Sequence, residues 1–302
     1  MTSDRILYAT YVESGQDLHN VCRMTESIRT FGGNYSDGPI LALMPDHLPM
    51  DDRALIDKTE SFGIEIRRFH TPEEARWLYY GGKPFAAAEA EKVAEGLAEL
   101  LVWIDEDTVV IAEPVDFELK PGMSLAWVPV MHNRSGTLWD GPPDDFWARI
   151  YERLSVTDDM LFPMVTPADE QKIRAYFHCG LLVVRPGKAI MRRWAADFEK
   201  LYSDQVLVDM CKADTTKKVF LHQTALTGSV VHSVGRDEMV ELDARYNYPI
   251  FFEKGYGANR PFDSIDDVIT VRCVVSKEKM GENWHKKLSG PSEKIAWLKD
   301  RL

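Results

Sequence analysis

The chain has 302 residues, 45% of them hydrophobic, which is enough to bury a sizeable core. Its 48 acidic and 36 basic residues give a net charge of -12, which repels nucleic acids and anionic lipid surfaces, so we expect neither as a partner. No apolar run reaches the length of a membrane span, and residues 1–11 lack the pattern of a secretory signal. The sequence therefore predicts a cytoplasmic protein without an integral membrane segment.

Strand-like and helix-like segments alternate through the first third of the chain. Residues 5–11 and 39–45 are apolar strands separated by a helix-like stretch, and residues 63–69 are a third, more exposed strand. Pro84 begins a helix with one apolar stripe, which leads directly into the apolar run 101–111. This order predicts an α/β fold with a mainly parallel central sheet flanked by helices on both faces. Ligands bind such sheets at the carboxyl ends of the strands.

The second half of the sequence is less regular. It contains no internal repeat, low-complexity tract or obvious linker, which favours one domain over residues 1–302. The four cysteines are scattered and form no C-x-x-C pair, which indicates neither a zinc ribbon nor a disulfide framework. The further predicted elements are strands at 124–130, 179–185 and 268–275 and helices at 144–154, 190–201 and 291–302.

The most informative run is 101–111 (LVWIDEDTVVI), in which two carboxylates, Asp105 and Asp107, interrupt an apolar strand and are expected to lie where that strand meets solvent. Alternate residues of an extended segment point to the same side, so both carboxylates can reach one hard divalent cation. Mg²⁺ is usually held by one or two carboxylates, with substrate phosphates and water completing its shell. Acidic residues are also common where strands end, so a purely structural role remains the alternative for this pair taken alone.

Four further segments follow the D-x-D strand in a characteristic order: the strand 176–186 (YFHCGLLVVRP), the amphipathic helix after it, 222–226 (HQTAL) and 242–248 (LDARYNY). Together, over residues 6–248, they resemble glycogenin-like and bacterial lipopolysaccharide glycosyltransferases of the GT-A fold. The resemblance implies transfer of a sugar from a UDP-sugar or GDP-sugar to an unidentified acceptor, with Mn²⁺ or Mg²⁺ and with retention favoured. It also implies a nucleotide-binding half at 1–115 and a sugar- and acceptor-binding half at 116–302.

The resemblance also assigns roles to individual residues. Asp105 and Asp107 are the expected metal ligands. His222 is the catalytic candidate by its own chemistry, because an imidazole that titrates near neutrality can act as a proton donor or acceptor near the anomeric carbon, and a satisfied polar residue is the alternative interpretation. Lys83 follows two glycines at a helix amino terminus, an arrangement that suits an anion, although a solvated surface lysine is the competing interpretation. The expected substrate-binding residues are Tyr8, Ala9, Thr10, Lys83, Asp105, Glu106, His178, Gly180, Gln223 and Asn247. For the residues of the first strand, ordinary packing is an equally good explanation.

The sequence departs from the family pattern at donor-sugar contacts. His178-Cys179-Gly180 stands where relatives usually carry Asn-Ser-Gly, and His222-Gln223 stands where they carry Asp-Gln. The pair Asp204-Gln205 is an alternative counterpart of the second motif.

The third metal ligand of the family, commonly a histidine on a late strand, is harder to place. The strand 268–275 offers only Cys273, and a thiolate is a poor ligand for Mg²⁺. His232 and His285 are fallback candidates, while Lys286 and Lys287 are candidates for neutralising the diphosphate.

The acceptor and the competing functions rest on fewer residues. The loop 132–140 combines polar groups with Trp139, a mixture that suits sugars, although the indole also serves simply to anchor a loop. A sugar nucleotidylyltransferase needs a glycine-rich basic loop after the first strand, whereas residues 12–17 are acidic with one glycine. A non-catalytic module that binds nucleotide sugars is the third hypothesis, motivated by the altered motifs.

Overall fold

The computed structural model describes residues 5–50, 52–250, 262, 264–273 and 289–302. Its strands are β1 (Ile6–Tyr11), β2 (Ile40–Pro45), β3 (Ile64–Phe69), β4 (Leu100–Ile104), β5 (Thr108–Val110), β6 (Leu125–Pro129), β7 (Pro163–Val165), β8 (Lys172–Arg174), β9 (Phe177–Val184), β10 (Met239–Glu241), β11 (Tyr248–Pro249) and β12 (Thr270–Arg272). Its helices are α1 (Gly15–Phe31), α2 (Arg53–Ser61), α3 (Lys83–Leu97), α4 (Asp145–Leu154), α5 (Ile190–Tyr202), α6 (Gln205–Ala213), α7 (Thr215–Ser233) and α8 (Ser292–Arg301).

The central sheet has seven strands in the order β10-β6-β9-β4-β1-β2-β3. β1, β2, β3 and β4 are mutually parallel, whereas β9 runs antiparallel to both β4 and β6. Because β9 is reversed, its first residues lie beside the carboxyl end of β4. Side chains from β1, β4 and β9 therefore meet at one edge of the sheet, as expected of a ligand site in an open α/β fold.

A small second sheet extends this edge. β5 pairs antiparallel with β12, which pairs parallel with β11. The register places Arg272 opposite Thr108, the residue that follows Asp107. Two positions separated by more than 160 residues in the sequence thus become neighbours at the end of β4.

Two apolar layers cover the central sheet. One contains α3, α5 and α7 residues packed around Trp103, Trp127 and Trp194, and the other contains α1 residues packed around Tyr8 and Val102. Burial of a large aromatic side chain stabilises the fold by roughly 1.5–3 kcal/mol.

The helices beside the site begin where the sequence supplies suitable residues. Ser14 is the amino-terminal cap of α1, and its side chain accepts a hydrogen bond from the Asp17 backbone N–H. In α3, Pro84 occupies the first turn, where its missing N–H costs nothing. Gly82 precedes it at a point where an added Cβ would lie 2.3 Å from the Tyr11 hydroxyl oxygen. The close approach of β1 to the start of α3 therefore requires glycine.

The predicted fold class is confirmed, with local differences. The run 101–111 is not one extended strand, because a turn separates β4 from β5 and the Thr108 N–H donates to the Asp105 carbonyl oxygen over 3.0 Å. A late strand was predicted at 268–275, and within the described residues it spans only Thr270–Arg272, as β12. Residues 274–275 lie outside the described chain. Helices α6 and α7 were not predicted. Among the residues that the structure describes, no helix is both long and apolar enough to cross a membrane.

Candidate functional site

A cavity of about 810 Å³ opens at the carboxyl ends of β1 and β4. Its volume lies in the range of small-molecule sites, roughly 300–1,000 Å³. The described residues that line it are Tyr11, Glu13, Ser14, Gln16, Asp17, Asn20, Arg23, Tyr80, Lys83, Asp105, Glu106, Asp107, His178, Cys179, Val219, Phe220, His222, Gln223, Arg272, Cys273 and Leu302. Both halves of the chain contribute to this wall.

The acid pair forms the floor of the cavity. Asp105 and Asp107 are 6% and 7% exposed, so they are much more enclosed than the solvent-edge position expected from the sequence. The Asp105 N–H donates to the Gly180 carbonyl oxygen at 2.8 Å, and the Cys273 N–H donates to the Asp107 carbonyl oxygen at 2.9 Å. These backbone bonds to β9 and to the residue after β12 fix the turn that presents both carboxylates.

Lys83 pairs directly with Asp105. Its ammonium group donates to Asp105 Oδ1 inside the fold, and the side chain is 7% exposed, which rules out the solvated surface lysine considered above. The Tyr80 ring lies beside it, with 5.8 Å between the ring centroid and Nζ. Tyr80 has a φ of 56°, a left-handed conformation that is uncommon for an aromatic residue and carries backbone strain.

Arg272 lies between the two carboxylates. Its Nη2 is 3.6 Å from Asp105 Oδ2, and its Nε is 3.6 Å from Asp107 Oδ2. The burial of Arg272 lowers its pKa, but the carboxylates of Asp107 and Asp105 more than offset this effect and raise it. Arg272 therefore lies beside the acid pair and on the late strand in which the family resemblance predicts a histidine ligand.

The three carboxyl groups of the floor differ in how their pKa values are shifted. Burial alone would raise the pKa of Asp105, but Lys83 and Arg272 hold that pKa below its usual value. Burial raises the pKa of Asp107 despite the attraction of Arg272. Burial and the neighbouring charges of Asp107 and Asp105 raise the pKa of Glu106 well above its usual value. Asp105 is therefore the most firmly ionised of the three.

The floor supplies only some of the ligands that a divalent cation needs. No group of three or more His, Cys, Asp or Glu side chains suited to a metal occurs in the described part of the chain. Asp107 Oδ1, however, is buried and has no hydrogen-bond partner among the described residues. Two carboxylates with an unused oxygen fit Mg²⁺ or Mn²⁺ if phosphate and water complete the shell. Cys273 faces a backbone carbonyl, with 4.0 Å between Sγ and the Val271 oxygen, and is no substitute for a third ligand.

His178 forms the wall next to Arg272. Its Nδ1 accepts from the Gly180 N–H at 2.9 Å, and its Nε2 is 2.8 Å from Arg272 Nη1. Asn247 approaches the same ring, with 3.4 Å between Nδ2 and Nδ1. Burial and the charge of Arg272 lower the pKa of His178 to about 3, so the ring is neutral at physiological pH.

His222 and Gln223 lie deeper in the wall, on α7. His222 Nε2 is 3.3 Å from Cys179 Sγ, and its ring lies between Tyr80 and Trp194, with centroid distances of 5.5 Å and 6.4 Å. Burial and the charge of Lys83 lower the pKa of His222 to about 3. An imidazole with so low a pKa can accept a hydrogen bond at neutral pH, but it is a poor proton donor and a weak base.

A smaller hollow of about 140 Å³ adjoins the main cavity. The loop 132–140 contributes His132, Arg134 and Ser135 to it, while Trp139 packs against Lys172 and Arg174 instead. The residues that line both hollows are His178, Phe220, Gln223 and Arg272. This junction is where a molecule in the main cavity would meet one in the smaller hollow.

Several residues predicted for the site lie away from the cavity. Tyr8, Ala9 and Thr10 are fully buried, and Tyr8 donates its hydroxyl to the Tyr35 carbonyl oxygen at 3.0 Å, so Tyr11 is the β1 side chain that reaches the cavity. Asp204 caps α6 and pairs with Arg149, which leaves His222-Gln223 as the pair in the cavity. His232 contacts the Leu154 carbonyl oxygen at the far end of α7.

Other predicted residues support the site without lining it, or lie outside the described chain. Gly180 and Asn247 both contact His178 behind the wall. His285, Lys286 and Lys287 lie outside the described residues. Sequence reasoning missed Glu13, Asp17, Asn20, Arg23 and Tyr80, all of which line the cavity, and it gave no role to Arg272. An arginine inside the apolar run VITVRCVV was the available signal for the last.

Comparison with protein families decides the class of the protein. A model described as the Rhodobacterales glycosyltransferase domain matches residues 9–235, which is more than half of the chain. The chain belongs to this glycosyltransferase family. The glycosyltransferase resemblance predicted from the sequence is thereby confirmed. No curated protein sequence matches the chain significantly.

Solved structures confirm the GT-A fold of this glycosyltransferase. The apo form of GlyE from Streptococcus pneumoniae TIGR4 superposes with a TM-score of 0.50 at 13% identity, over 99% of this chain and 60% of GlyE. An active-site mutant of LgtC superposes with a TM-score of 0.51 at 12% identity, over 98% of this chain and all of LgtC. The glycosyltransferase thus spans 60% of the length of GlyE, and at these identities the likeness concerns the fold alone.

Proposed function

We propose that this glycosyltransferase transfers a sugar from a UDP-sugar or GDP-sugar to an acceptor in the smaller hollow, with retention of the anomeric configuration. The observation that carries the proposal is the meeting of Asp105, Asp107, Lys83 and Arg272 on the floor of one nucleotide-sized cavity. Cleavage of a nucleotide sugar develops negative charge on the departing diphosphate, and fixed positive groups stabilise that charge. The predicted division into a nucleotide-binding half at 1–115 and a sugar- and acceptor-binding half at 116–302 is part of this proposal.

A divalent cation is the second part of the proposal. We expect Mn²⁺ or Mg²⁺ to be held by Asp105 and Asp107, with oxygens of the diphosphate and water completing its shell. Such an ion supplies Lewis acidity toward the leaving diphosphate when it is bound. Lys83 stays on Asp105 in this scheme and keeps that carboxylate ionised and oriented.

The junction between the hollows is the proposed place of transfer. Gln223 lines both hollows, and its Oε1 accepts from the Cys179 N–H at 3.3 Å, which orients the amide. His222, next to it, is neutral, so we propose that it accepts a hydrogen bond from the donor sugar and does not protonate it.

The lining of the acceptor hollow supports retention. Inversion in a single displacement needs a base beside the acceptor hydroxyl, usually a carboxylate. No aspartate or glutamate occurs among the described residues that line the smaller hollow. In the main cavity, Asp105 is paired with Lys83, and Glu13 accepts from the Tyr11 hydroxyl.

A thermal-shift panel of nucleotide sugars with and without Mn²⁺ tests this function. A ligand that binds only the folded state raises the melting temperature by mass action. We expect one UDP-sugar or GDP-sugar to raise the melting temperature more than the others, and to do so more strongly with Mn²⁺ than with EDTA. If no nucleotide sugar shifts the melting temperature in either buffer, the proposal is wrong.

The variant Asp107→Ala, measured in the same thermal-shift panel, tests whether the acid pair holds the cation. We expect it to lose both sugar transfer and the Mn²⁺-dependent shift while remaining folded, because one side of the cation site is removed. Asp57→Ala is the matched control, since the Asp57 side chain is 58% exposed on α2 and does not line the cavity. A fully active Asp107→Ala enzyme would remove the acid pair from the mechanism.

A further inference from the structure

Arg272 lies across the acid pair in this structure. Its guanidinium lies 3.6 Å from a carboxylate oxygen of Asp105 and 3.6 Å from one of Asp107, and its side chain is only 25% exposed. Arg272 Nε has no hydrogen-bond partner among the described residues, although it is buried. The contacts are therefore electrostatic ones without hydrogen-bond geometry, and such contacts are more easily exchanged than bidentate pairs.

The charges in the cavity do not suit a diphosphate on its own. Five acidic residues line the described wall (Glu13, Asp17, Asp105, Glu106 and Asp107), against three basic ones (Arg23, Lys83 and Arg272). The two cations nearest the floor are already paired with its carboxylates. An incoming diphosphate thus meets no unpaired positive charge on the floor until the carboxylates receive another cation.

His178 and Arg272 lie where donors outnumber acceptors. The neutral His178 ring has one acceptor nitrogen, but both of its nitrogens face donors: Nδ1 is 2.9 Å from the Gly180 nitrogen, and Nε2 is 2.8 Å from Arg272 Nη1. One of these two contacts therefore lacks an acceptor. An anionic oxygen near Arg272 Nη1 would supply an acceptor, which marks the Arg272 side of the floor as an anion subsite.

We propose that Arg272 has two positions: in one, seen in this structure, it occupies the acid pair, and in the donor complex it turns with His178 to bind the diphosphate, as Asp105 and Asp107 take up a divalent cation. Arg272 therefore weakens the binding of the cation alone and strengthens the binding of the nucleotide. Binding of the cation and binding of the nucleoside diphosphate therefore favour each other. This inference rests on the proposed function, because it requires a nucleoside diphosphate in the cavity.

The test is the pair of affinities of Arg272→Met for Mn²⁺ alone and for UDP or GDP in saturating Mn²⁺. We expect Mn²⁺ alone to bind this variant about tenfold more tightly than the wild type, a change of about 1.4 kcal/mol, because its competitor is gone. We expect the nucleotide to bind about tenfold or more weakly, because a donor to the diphosphate is lost. Isothermal titration calorimetry, supported by electron paramagnetic resonance of free Mn²⁺, measures both.

Two further variants complete the design. Arg149→Met is the matched control, since it removes an arginine that pairs with the buried Asp204 at 2.6 Å outside the cavity, and it should change neither affinity. Arg272→Lys keeps the positive charge but lacks the planar guanidinium group. We therefore expect its affinities for Mn²⁺ and for the nucleotide to lie between those of the wild type and Arg272→Met. It also provides a folded comparison if Arg272→Met is unstable.

The outcomes separate this inference from the function on which it rests. Mn²⁺ that binds Arg272→Met and Arg272→Lys no more tightly than the wild type shows that Arg272 does not compete for the carboxylates, and the inference fails. Nucleotide binding by the wild type that is equally strong in EDTA also overturns it, because Arg272 would then replace the cation permanently. If neither UDP nor GDP binds the wild type in Mn²⁺, the proposed function itself fails.

Discussion

At the scale of single residues, the site combines buried ionic groups with buried neutral histidines. Asp105 keeps its charge because Lys83 and Arg272 surround it, whereas His178 and His222 lose theirs because burial and nearby cations disfavour a protonated ring. In acid, the unfolded chain protonates its histidines, whereas the fold keeps His178 and His222 neutral. The two histidines therefore lower the free energy of unfolding at acid pH.

The variant His222→Gln tests this sensitivity. The pKa of His222 is lowered from 6.5 to about 3 in the folded state, so below pH 6.5 the unfolded chain binds a proton that the folded chain refuses. The free energy of unfolding therefore falls as the pH drops from 6.5 toward 3, with this residue contributing a slope of about 1.4 kcal/mol per pH unit. Glutamine does not titrate, so we expect a shallower slope in the variant.

Urea unfolding of both proteins at several pH values between 4 and 8 measures the effect. Above pH 7, where His222 is neutral in both the folded and the unfolded chain, the free energies of unfolding of the two proteins should change with pH in the same way. Below pH 6 they should diverge. Identical slopes over the acid range would show that His222 is protonated in the folded state at mildly acidic pH. That result would restore it as a candidate proton donor.

At the scale of elements, the site depends on the close approach of β9 to the end of β4. A Cβ on Gly180 would lie 2.4 Å from Asp105 Oδ2 and 2.6 Å from His178 Cε1, closer than atoms can pack. Glycine at this position thus lets the reversed strand carry His178 past the acid pair. The backbone, not only the side chains, sets the geometry of the floor.

We predict that Gly180→Ala displaces the Asp105 carboxylate and weakens donor binding. Overpacking of this kind costs about 1–3 kcal/mol of stability, so the protein should remain folded with a lower melting temperature. Gly187→Ala is the matched control, since a Cβ there meets no atom within 4 Å in the described structure. Wild-type affinity for the nucleotide in the Gly180→Ala variant would show that the close approach is incidental.

The elements also show what the sequence could and could not predict. β1 to β4 and the intervening helices were predictable because their apolar periodicity is local. Helix α7 was not, because its residues from Leu221 to Val230 are almost all buried, so it lacks the one-sided apolar stripe that indicates a helix. The position of Arg272 was not predictable either, because pairing of β12 with β5 brings it to Asp107 across the whole second half of the chain.

At the scale of the whole molecule, an acidic protein has a cavity for an anionic donor. The net charge of -12 repels phosphate polymers and diphosphates alike at long range. Binding of a nucleoside diphosphate must therefore depend on short-range cations at the floor, and Lys83 and Arg272 are already neutralised by the acid pair. We propose that a divalent cation held by Asp105 and Asp107 resolves this imbalance.

The anomalous diffraction of crystals grown with Mn²⁺ and either UDP or GDP tests that claim most directly. We predict an anomalous peak between the carboxylates of Asp105 and Asp107, with the diphosphate beside it and Arg272 turned toward the phosphates. No peak at the floor, with both carboxylates still paired to Arg272 in a crystal that contains the bound nucleotide, would contradict the account.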